Sequence, residues 1–238
     1  MVSPPVELSV NKSDTSDVVT FLAQLESSSH GACDTTAVQV YDRYNDKYVW
    51  IPACGHVAGL CAYTDQVADP WWSPAGFNRG VLKNVTRVAY SPSKAERDTL
   101  YAQQGNPIVN FAGQGIILYG DKTLLNRPSA FDRINVRRLF NVVEKMIAET
   151  SRYMLFDIND EQTRSAFVLT VDPILRGIQG RRGLYSYSIV CDESNNDADS
   201  IDNNELYADI FLQPSKSINF IKLSFTATRT DGTLTEVI

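Results

Sequence analysis

Histidine and cysteine are scarce in this sequence, and their scarcity limits the chemistry it can support. His30 and His56 are the only histidines among 238 residues, and the four cysteines form no CxxC pair. A structural zinc site needs four ligands, usually from paired cysteines and histidines. Cys54 and Cys61 lie near His56, but no fourth ligand accompanies them. We therefore expect no metal site, no cofactor and reduced cysteines.

Long apolar runs and an excess of positive charge are also missing. The chain has 22 Lys and Arg against 28 Asp and Glu, which gives a net charge of -6. Nucleic-acid-binding domains concentrate positive charge, and a membrane-spanning helix needs about 20 consecutive apolar residues. We therefore expect neither nucleic-acid binding nor membrane insertion. A hydrophobic fraction of 43% indicates an ordinary packed core instead.

Familiar catalytic motifs are absent as well. The sequence contains no GxSxG, no P-loop and no HExxH. The GQG at 113–115 lies between two apolar runs, 108–111 and 116–119, and indicates a β-hairpin, because a dinucleotide-binding loop is followed by a helix. Asp192 and Glu193 are adjacent carboxylates, but an acidic pair at a strand end usually faces solvent. The sequence thus predicts that the protein is not an enzyme.

The strongest signal that is present is a periodic segment over residues 126–153. Ser129 and Asp132 have the spacing of an N-cap and its capping partner, which predicts a helix that begins near Ala130. Apolar side chains then recur at helical spacing and form one stripe: Val136, Leu139, Phe140, Val143, Met146 and Ile147. This segment is therefore predicted to be a core helix.

Three arginines, Arg133, Arg137 and Arg138, crowd the beginning of the same helix. Positive charge at a helix N-terminus opposes the helix dipole, so these side chains need partners. Intrachain ion pairs on a solvated face would provide them. A docking face for an acidic protein surface would do so equally well. The sequence leaves both interpretations open.

Further elements follow from local patterns. Ser93 and Glu96 form an S-x-x-E capping box ahead of a helix over 94–103. A second long helix has a stripe from Phe167 to Ile178, and Pro173 is expected to kink or restart it. Alternating apolar residues over 185–189, 206–213 and 221–228 predict three strands, with a solvated acidic loop between the first two. We therefore predict an α/β (α+β) fold in which a mixed β-sheet packs against two long helices.

Aromatic residues are concentrated over residues 41–72, which predicts a smaller lobe of short strands. Stacking on a ligand is one interpretation of these rings. Acidic residues are interleaved with them, however, so no basic groove accompanies the rings: Asp42, Asp46, Asp65 and Asp69. Packing in a core or an interface is the favoured interpretation.

We expect three parts along the chain: a leader or arm over 1–40, a core domain over 41–232 and an arm over 233–238. The last six residues are β-prone and largely apolar: Thr233, Leu234, Thr235, Glu236, Val237 and Ile238. Such a segment can fold back on its own sheet. It can also add a strand to the sheet of a neighbouring subunit.

Several ordered motifs resemble the contractile tail sheath proteins of T4-like bacteriophages. GDKTLLNRPSAFDRINVRRLFNVVEK is similar to the C-terminal region of that family, and WWSPAGFNRGVLKNV, RRGLY and INFIKLSFTATRT occur in the same order. The resemblance covers about residues 41–238. Family members normally have several hundred residues before the matching region, so we expect this chain to be a fragment or a shortened form.

The resemblance implies a structural subunit that assembles around the tail tube and contracts to drive the tube through the host envelope. It implies a helical homo-oligomer held by strand exchange, with residues 233–238 as the inter-subunit arm. Arg133, Arg137 and Arg138 would contact the tube or a neighbour. Baseplate and tail terminator proteins would be further partners in the virion, after synthesis in the host cytoplasm. The alternative is a monomeric binding module for a carbohydrate or a receptor, which would use the aromatic-rich lobe.

Overall fold

The structure is a computed structural model that describes residues 1–12 and 14–219. Within these ranges, helices and short strands form an α+β fold, so the predicted class is confirmed. The strand predicted over 221–228 and the arm over 233–238 lie outside the described residues, and the proposed division into three parts stays a prediction. No helix in the described part of the chain combines the length and the apolar character that a bilayer crossing requires.

The described part of the chain contains six helices and nine strands. The helices are α1 (Ser16–Gln24), α2 (Cys54–Val67), α3 (Lys94–Ala102), α4 (Ile134–Ser151), α5 (Glu161–Gly180) and α6 (Ala198–Asp202). The strands are β1 (Cys33–Asp34), β2 (Ala37–Asp42), β3 (Lys47–Pro52), β4 (Arg87–Val88), β5 (Gly105–Asn106), β6 (Ile108–Phe111), β7 (Gly115–Leu118), β8 (Leu184–Val190) and β9 (Asp209–Pro214). Single 3-10 turns occur at Val6–Leu8, Ala130–Asp132 and Arg152–Met154.

The described strands form four small sheets rather than one large one. β1 pairs with β5 in parallel, and β2 lies between β3 and β4 in an antiparallel sheet. β6 and β7 form the predicted hairpin, with Ile108 opposite Leu118. β8 and β9 form a second, longer hairpin. The sheet set is therefore mixed, as predicted, because the β1–β5 pair is parallel.

The largest core lies between the two long helices and the β8–β9 hairpin. Its buried members come from α4, α5, β8 and a tryptophan far upstream: Trp71, Leu139, Val143, Phe167, Val171, Leu175, Ile178, Leu184 and Cys191. Gly183 lets the chain turn closely past this cluster. A Cβ at this position would meet Ile178 Cγ2 at 2.6 Å and the Trp71 ring at 3.0 Å. The helices and hairpin thus pack as the sequence predicted.

Two further cores hold the first half of the chain. One joins β2, α2 and the β6–β7 hairpin: Val38, Ala53, Val57, Leu60, Leu82, Ile108, Ile116 and Leu118. The other buries α1 against β1 and α3: Val18, Leu22, Cys33, Leu100 and Leu124. Val2 also bridges to Cys33 in a parallel arrangement. The first residues of the chain are therefore packed into the fold.

The central helix begins four residues later than predicted. A 3-10 turn fills Ala130–Asp132, and α4 begins only at Ile134. Between them Arg133 is extended, with φ -120° and ψ 140°, and it bridges to Lys122. The Ile134 amide donates to the carbonyl of Asp121 at 2.8 Å. Because strand-like pairing uses these backbone groups, the helix cannot begin earlier.

One other expectation was wrong, and a second is settled only in part. The aromatic-rich region contains α2, a 14-residue helix, where only short strands were expected. Its buried side chains, Val57, Leu60 and Thr64, recur at helical spacing, but the aromatic density around them suggested strands. A kink or a restart was expected at Pro173; α5 is continuous through this residue, so it does not restart there. Pro173 lies on the exposed face of α5, where water can hydrogen-bond the carbonyl that loses its partner.

Candidate assembly surfaces

The β8–β9 hairpin has one buried face and edges that remain open in the described part of the chain. Four side chains point to the helical core and pack against it: Tyr187, Ile189, Ile210 and Leu212. On the other face, Phe211 is 62% exposed. Among the described strands, β8 pairs only with β9. A strand with unpaired backbone groups is a template for a further strand, so this hairpin can accept another one.

Packing of the β8–β9 hairpin on α5 holds its open edge in a fixed position, where a further strand can pair with it. A two-stranded hairpin alone is marginally stable in water and needs a packing partner. Leu184 begins β8 inside the same core as Leu175 and Ile178 of α5. The edge is therefore presented by a strand whose position is fixed.

A second candidate surface is the connector between α4 and α5. Its apolar side chains face solvent to an unusual degree: Tyr153 is 89% exposed, Leu155 64%, Phe156 104% and Ile158 79%. Phe156 also has a φ of 75°, a conformation that bulky residues rarely adopt. Contiguous exposed apolar residues mark interaction surfaces more often than single ones do. We call residues 153–158 the apolar connector.

The three arginines at the beginning of α4 all have partners within the chain. These partners are the Tyr101 hydroxyl for Arg133 at 3.0 Å, Ser29 Oγ for Arg137 at 2.7 Å, and Asp65 together with the Cys61 carbonyl for Arg138. Arg137 also stacks on the Phe131 ring at 4.1 Å. The three side chains therefore tie α4 to the N-terminal segment, to α2 and to α3. Their contact with a tube or a neighbour remains a prediction.

The aromatic residues of the smaller lobe do not form a common platform. They are divided among separate surroundings: Trp71 in the largest core, Trp50 and Tyr63 beneath Arg87 and Lys83, and Tyr44 fully exposed near the β2–β3 turn. Tyr41 and Tyr48 do pack together, with ring centroids 5.4 Å apart. Ligand stacking needs several rings on one accessible surface, and the described rings are dispersed.

Asp34 is a buried carboxyl group that sequence reasoning missed. It is 2% exposed, Ser3 Oγ donates to its Oδ2, and its Oδ1 has no partner among the described residues. Burial raises the pKa of Asp34 to about 7. Ser3 Oγ also accepts from the Cys54 amide at 2.8 Å. Asp34 thus lies where the N-terminal residues, β1 and α2 meet, which gives it a role in stability.

Comparison with known families gives two adjacent matches. Residues 10–124 match the phage tail sheath protein central domain, and residues 126–228 match the phage tail sheath C-terminal domain. The boundary falls just before the 3-10 turn that leads into α4. Together the two matches span nearly the whole described chain.

Two similar proteins from other phages are named as tail sheath proteins. The chain is 52% identical to the tail sheath protein of Vibrio phage KVP40 over 212 residues, and 45% identical to that of Enterobacteria phage T4 over 211 residues. Each alignment covers 89% of this chain and 32% of the relative. The chain therefore spans about a third of the length of the curated relatives it matches.

Solved structures show the same fold at low sequence identity. The sheath complex of an extracellular contractile injection system, PVC, in its contracted state, matches with a TM-score of 0.82 and 20% identity, over 94% of this chain and 62% of that chain. The anti-feeding prophage baseplate matches with a TM-score of 0.77 and 22% identity, over 85% of this chain and 56% of that chain.

Proposed function

Because this chain belongs to the phage tail sheath family, we propose that it is a structural subunit of a bacteriophage contractile tail sheath. It assembles with copies of itself around the tail tube and contracts to drive the tube through the host envelope. The observation that carries the proposal is the β8–β9 hairpin, whose strands have open edges among the described residues and are fixed on α5. An open strand edge of this kind can pair with a strand of a neighbouring subunit during assembly.

Strand exchange is the proposed mode of assembly. Residues 233–238 form the arm that adds a strand to the sheet of a neighbouring subunit, and the β8–β9 hairpin receives the arm of another copy. Each added backbone hydrogen bond contributes only about 0.5–1.5 kcal/mol net. A single arm therefore holds weakly, whereas many arms in one lattice hold strongly through effective concentration.

The remaining parts of the role follow from the same proposal. The tail tube is the inner partner, and the arginines at positions 133, 137 and 138 contact it or a neighbouring subunit. Baseplate and tail terminator proteins bind the ends of the sheath. The subunit is made in the host cytoplasm, becomes part of the virion and performs no catalysis, since contraction draws on energy stored in subunit contacts.

Deleting residues 233–238 tests the arm. We expect polymerisation to be lost while the midpoint of thermal unfolding stays nearly unchanged, because the arm pairs with a neighbour rather than with its own core. Leu234→Pro should have the same effect, since proline lacks the N–H that a strand ladder needs, whereas Leu234→Val is the matched control and should polymerise normally. Light scattering and circular dichroism measure the two properties.

A large fall in the unfolding midpoint after the deletion would contradict this assignment. It would show that the segment completes the subunit's own sheet. Normal polymerisation of the Leu234→Pro variant would contradict it as well.

The binding-module alternative is not favoured. It would need the aromatic residues of the smaller lobe to act together, and they are dispersed among separate surroundings. The family to which the chain belongs is named for a structural role.

A further inference from the structure

A deep cleft separates α3 and the residues before it from one end of the β8–β9 hairpin. Its volume is about 1270 Å³. One wall contains Trp72 and Arg79, a second contains Lys94 and Arg97 of α3, and Leu184 at the beginning of β8 lies at the hairpin end. We call this feature the basic cleft.

The charge of the basic cleft opposes that of the whole chain. Six cationic side chains line it, against the two carboxylates of Asp98 and Asp121: Arg79, Lys94, Arg97, Lys122, Arg182 and Lys216. None of the six forms an ion pair with a carboxylate in the described part of the chain. Asp121 already accepts from Ser217 Oγ at 2.7 Å. A chain of net charge -6 thus concentrates positive charge on one concave surface.

Aromatic rings hold several of these cations in place. The guanidinium groups of Arg79 and Arg182 lie 5.1 Å and 5.6 Å from the centre of the Trp72 ring. Arg97 lies 5.6 Å from the rings of both Phe111 and Tyr119. Arg79 Nε donates to the Ser73 carbonyl at 2.9 Å, and a stacked guanidinium keeps its remaining N–H groups available for a carboxylate in a fixed orientation. The cleft is therefore organised in advance to bind carboxylates.

Asn135 adds an unfilled acceptor to the lining of the cleft. The residue is 3% exposed, and its amide nitrogen donates to the carbonyls of Trp71 and Ser215 at 3.3 Å and 3.4 Å. Its Oδ1 has no hydrogen-bond partner among the described residues.

The chain also contains a segment of the opposite charge. No Lys or Arg occurs between Arg182 and Lys216. Six of the carboxylates in this interval are exposed: Asp192, Glu193, Asp197, Asp202, Glu205 and, on β9, Asp209. The side chain of Asn196 and the backbone of Tyr207 join the two sides of this stretch by two hydrogen bonds of 2.8 Å each. We call residues 192–205 the acidic segment.

The acidic segment cannot reach the cleft of its own chain. β8 runs from Leu184, which lines the cleft, to Val190, two positions before the first residue of the acidic segment. At about 3.3 Å per residue this strand is about 20 Å long. The two charged features therefore lie at opposite ends of one hairpin, which is fixed on α5.

We propose that the acidic segment of one copy docks into the basic cleft of a second copy. The contact is head-to-tail, and contacts of this type propagate into rings or helical filaments. This proposal rests on the proposed sheath function, and the contact would hold neighbouring copies together in addition to the strand exchanged by residues 233–238. Residues 220–238 of the same chain are a competing occupant. They contain two cations and two acidic side chains, so charge complementarity favours the acidic segment.

Charge reversal on each side tests the pairing. Lys94→Glu with Lys216→Glu reverses the cleft, and Glu193→Lys with Asp202→Lys reverses the acidic segment. These four residues are exposed and make no side-chain hydrogen bond within the described ranges, so folding should be preserved. Each double variant should self-associate about tenfold more weakly or worse in sedimentation velocity, because like charges then face each other.

Mixing the two double variants should restore association to the level of the unmodified chain. The reversed, negatively charged cleft of one variant then faces the reversed, positively charged segment of the other. The unmodified chain should itself dissociate as salt rises from about 0.1 M to about 1 M, where the screening length falls to about 3 Å. The control is Glu144→Lys with Glu149→Lys on the exposed face of α4. It makes the same change of charge and should leave association unaltered.

Failure of the mixture to restore association would overturn the pairing, and so would a control that weakens association equally. Stronger association by a chain ending at residue 219 would identify the chain's own last residues as the occupant instead. Electron microscopy separates this inference from the sheath role. If either reversed variant forms tubes normally, only the proposed docking contact is contradicted. If the unmodified chain forms no tubes under any condition, the sheath role is contradicted.

Discussion

Asn106→Ala is expected to destabilise the protein by about 3 kcal/mol or more, because three hydrogen bonds in the interior would lose their partner. Asn106 is 2% exposed. Its amide nitrogen donates to the carbonyls of Cys33 at 3.0 Å and Lys122 at 2.8 Å, and its Oδ1 accepts from the Lys122 amide at 2.7 Å. These bonds join β1 and β5 to the segment that leads into α4. The shift in the urea midpoint of unfolding measures the loss.

Asn110→Ala is the matched control for this substitution. Asn110 lies on β6, is exposed, and its side chain makes no hydrogen bond within the described residues. Its loss should change the free energy of unfolding by less than about 0.5 kcal/mol. If both variants unfolded at the same urea concentration, the three bonds of Asn106 would not be stabilising the junction of β1, β5 and the segment that leads into α4.

Asp34→Asn is expected to stabilise the protein at pH 8 and to remove most of its dependence on pH between about 4 and 7. Burial raises the pKa of Asp34 from its ordinary value of 3.8 to about 7 in the folded chain. Over this interval the unfolded chain releases the proton and the folded chain retains it. Stability therefore falls as pH rises through the interval and is level above it.

The size of this effect follows from the difference in pKa. A shift of one unit corresponds to about 1.36 kcal/mol, so about three units amount to roughly 4 kcal/mol between pH 4 and pH 8. Asp157→Asn, a substitution of an exposed residue, is the control and should leave the pH profile unchanged. Urea unfolding across this pH range measures the profile. An Asp34→Asn variant that is less stable than the unmodified chain at pH 8 would contradict the assignment.

The sequence predicted the elements whose signals are local. The capping box of Ser93 and Glu96 is present at the beginning of α3, with the amide of each residue bonded to the side chain of the other. The α4 stripe is buried at Val136, Leu139 and Val143, although Met146 near the end of the helix is 36% exposed. Capping and helical periodicity depend on neighbours within a few residues, so they can be inferred without the fold.

The features that escaped prediction depend on distant parts of the chain. α4 begins late because the backbone at Arg133 pairs with Lys122. Arg137 donates a hydrogen bond to Ser29, which lies 108 positions earlier in the chain, and no local sequence pattern identifies such a partner. The basic cleft likewise draws its cations from positions between 79 and 216. The sequence indicated that the arginines need partners, but only the fold shows which ones they have.

The sheath role is tested most directly by co-assembly with a complete relative. The purified chain is labelled, mixed with the full-length tail sheath protein of Vibrio phage KVP40 and examined by negative-stain electron microscopy. The full-length protein supplies the two thirds of the relative's length that this chain does not cover. We expect tubes that contain the labelled chain, fewer tubes incorporating it when residues 233–238 are deleted, and no tubes that incorporate an unrelated labelled protein. Complete exclusion of the intact chain from those tubes would contradict the proposed role.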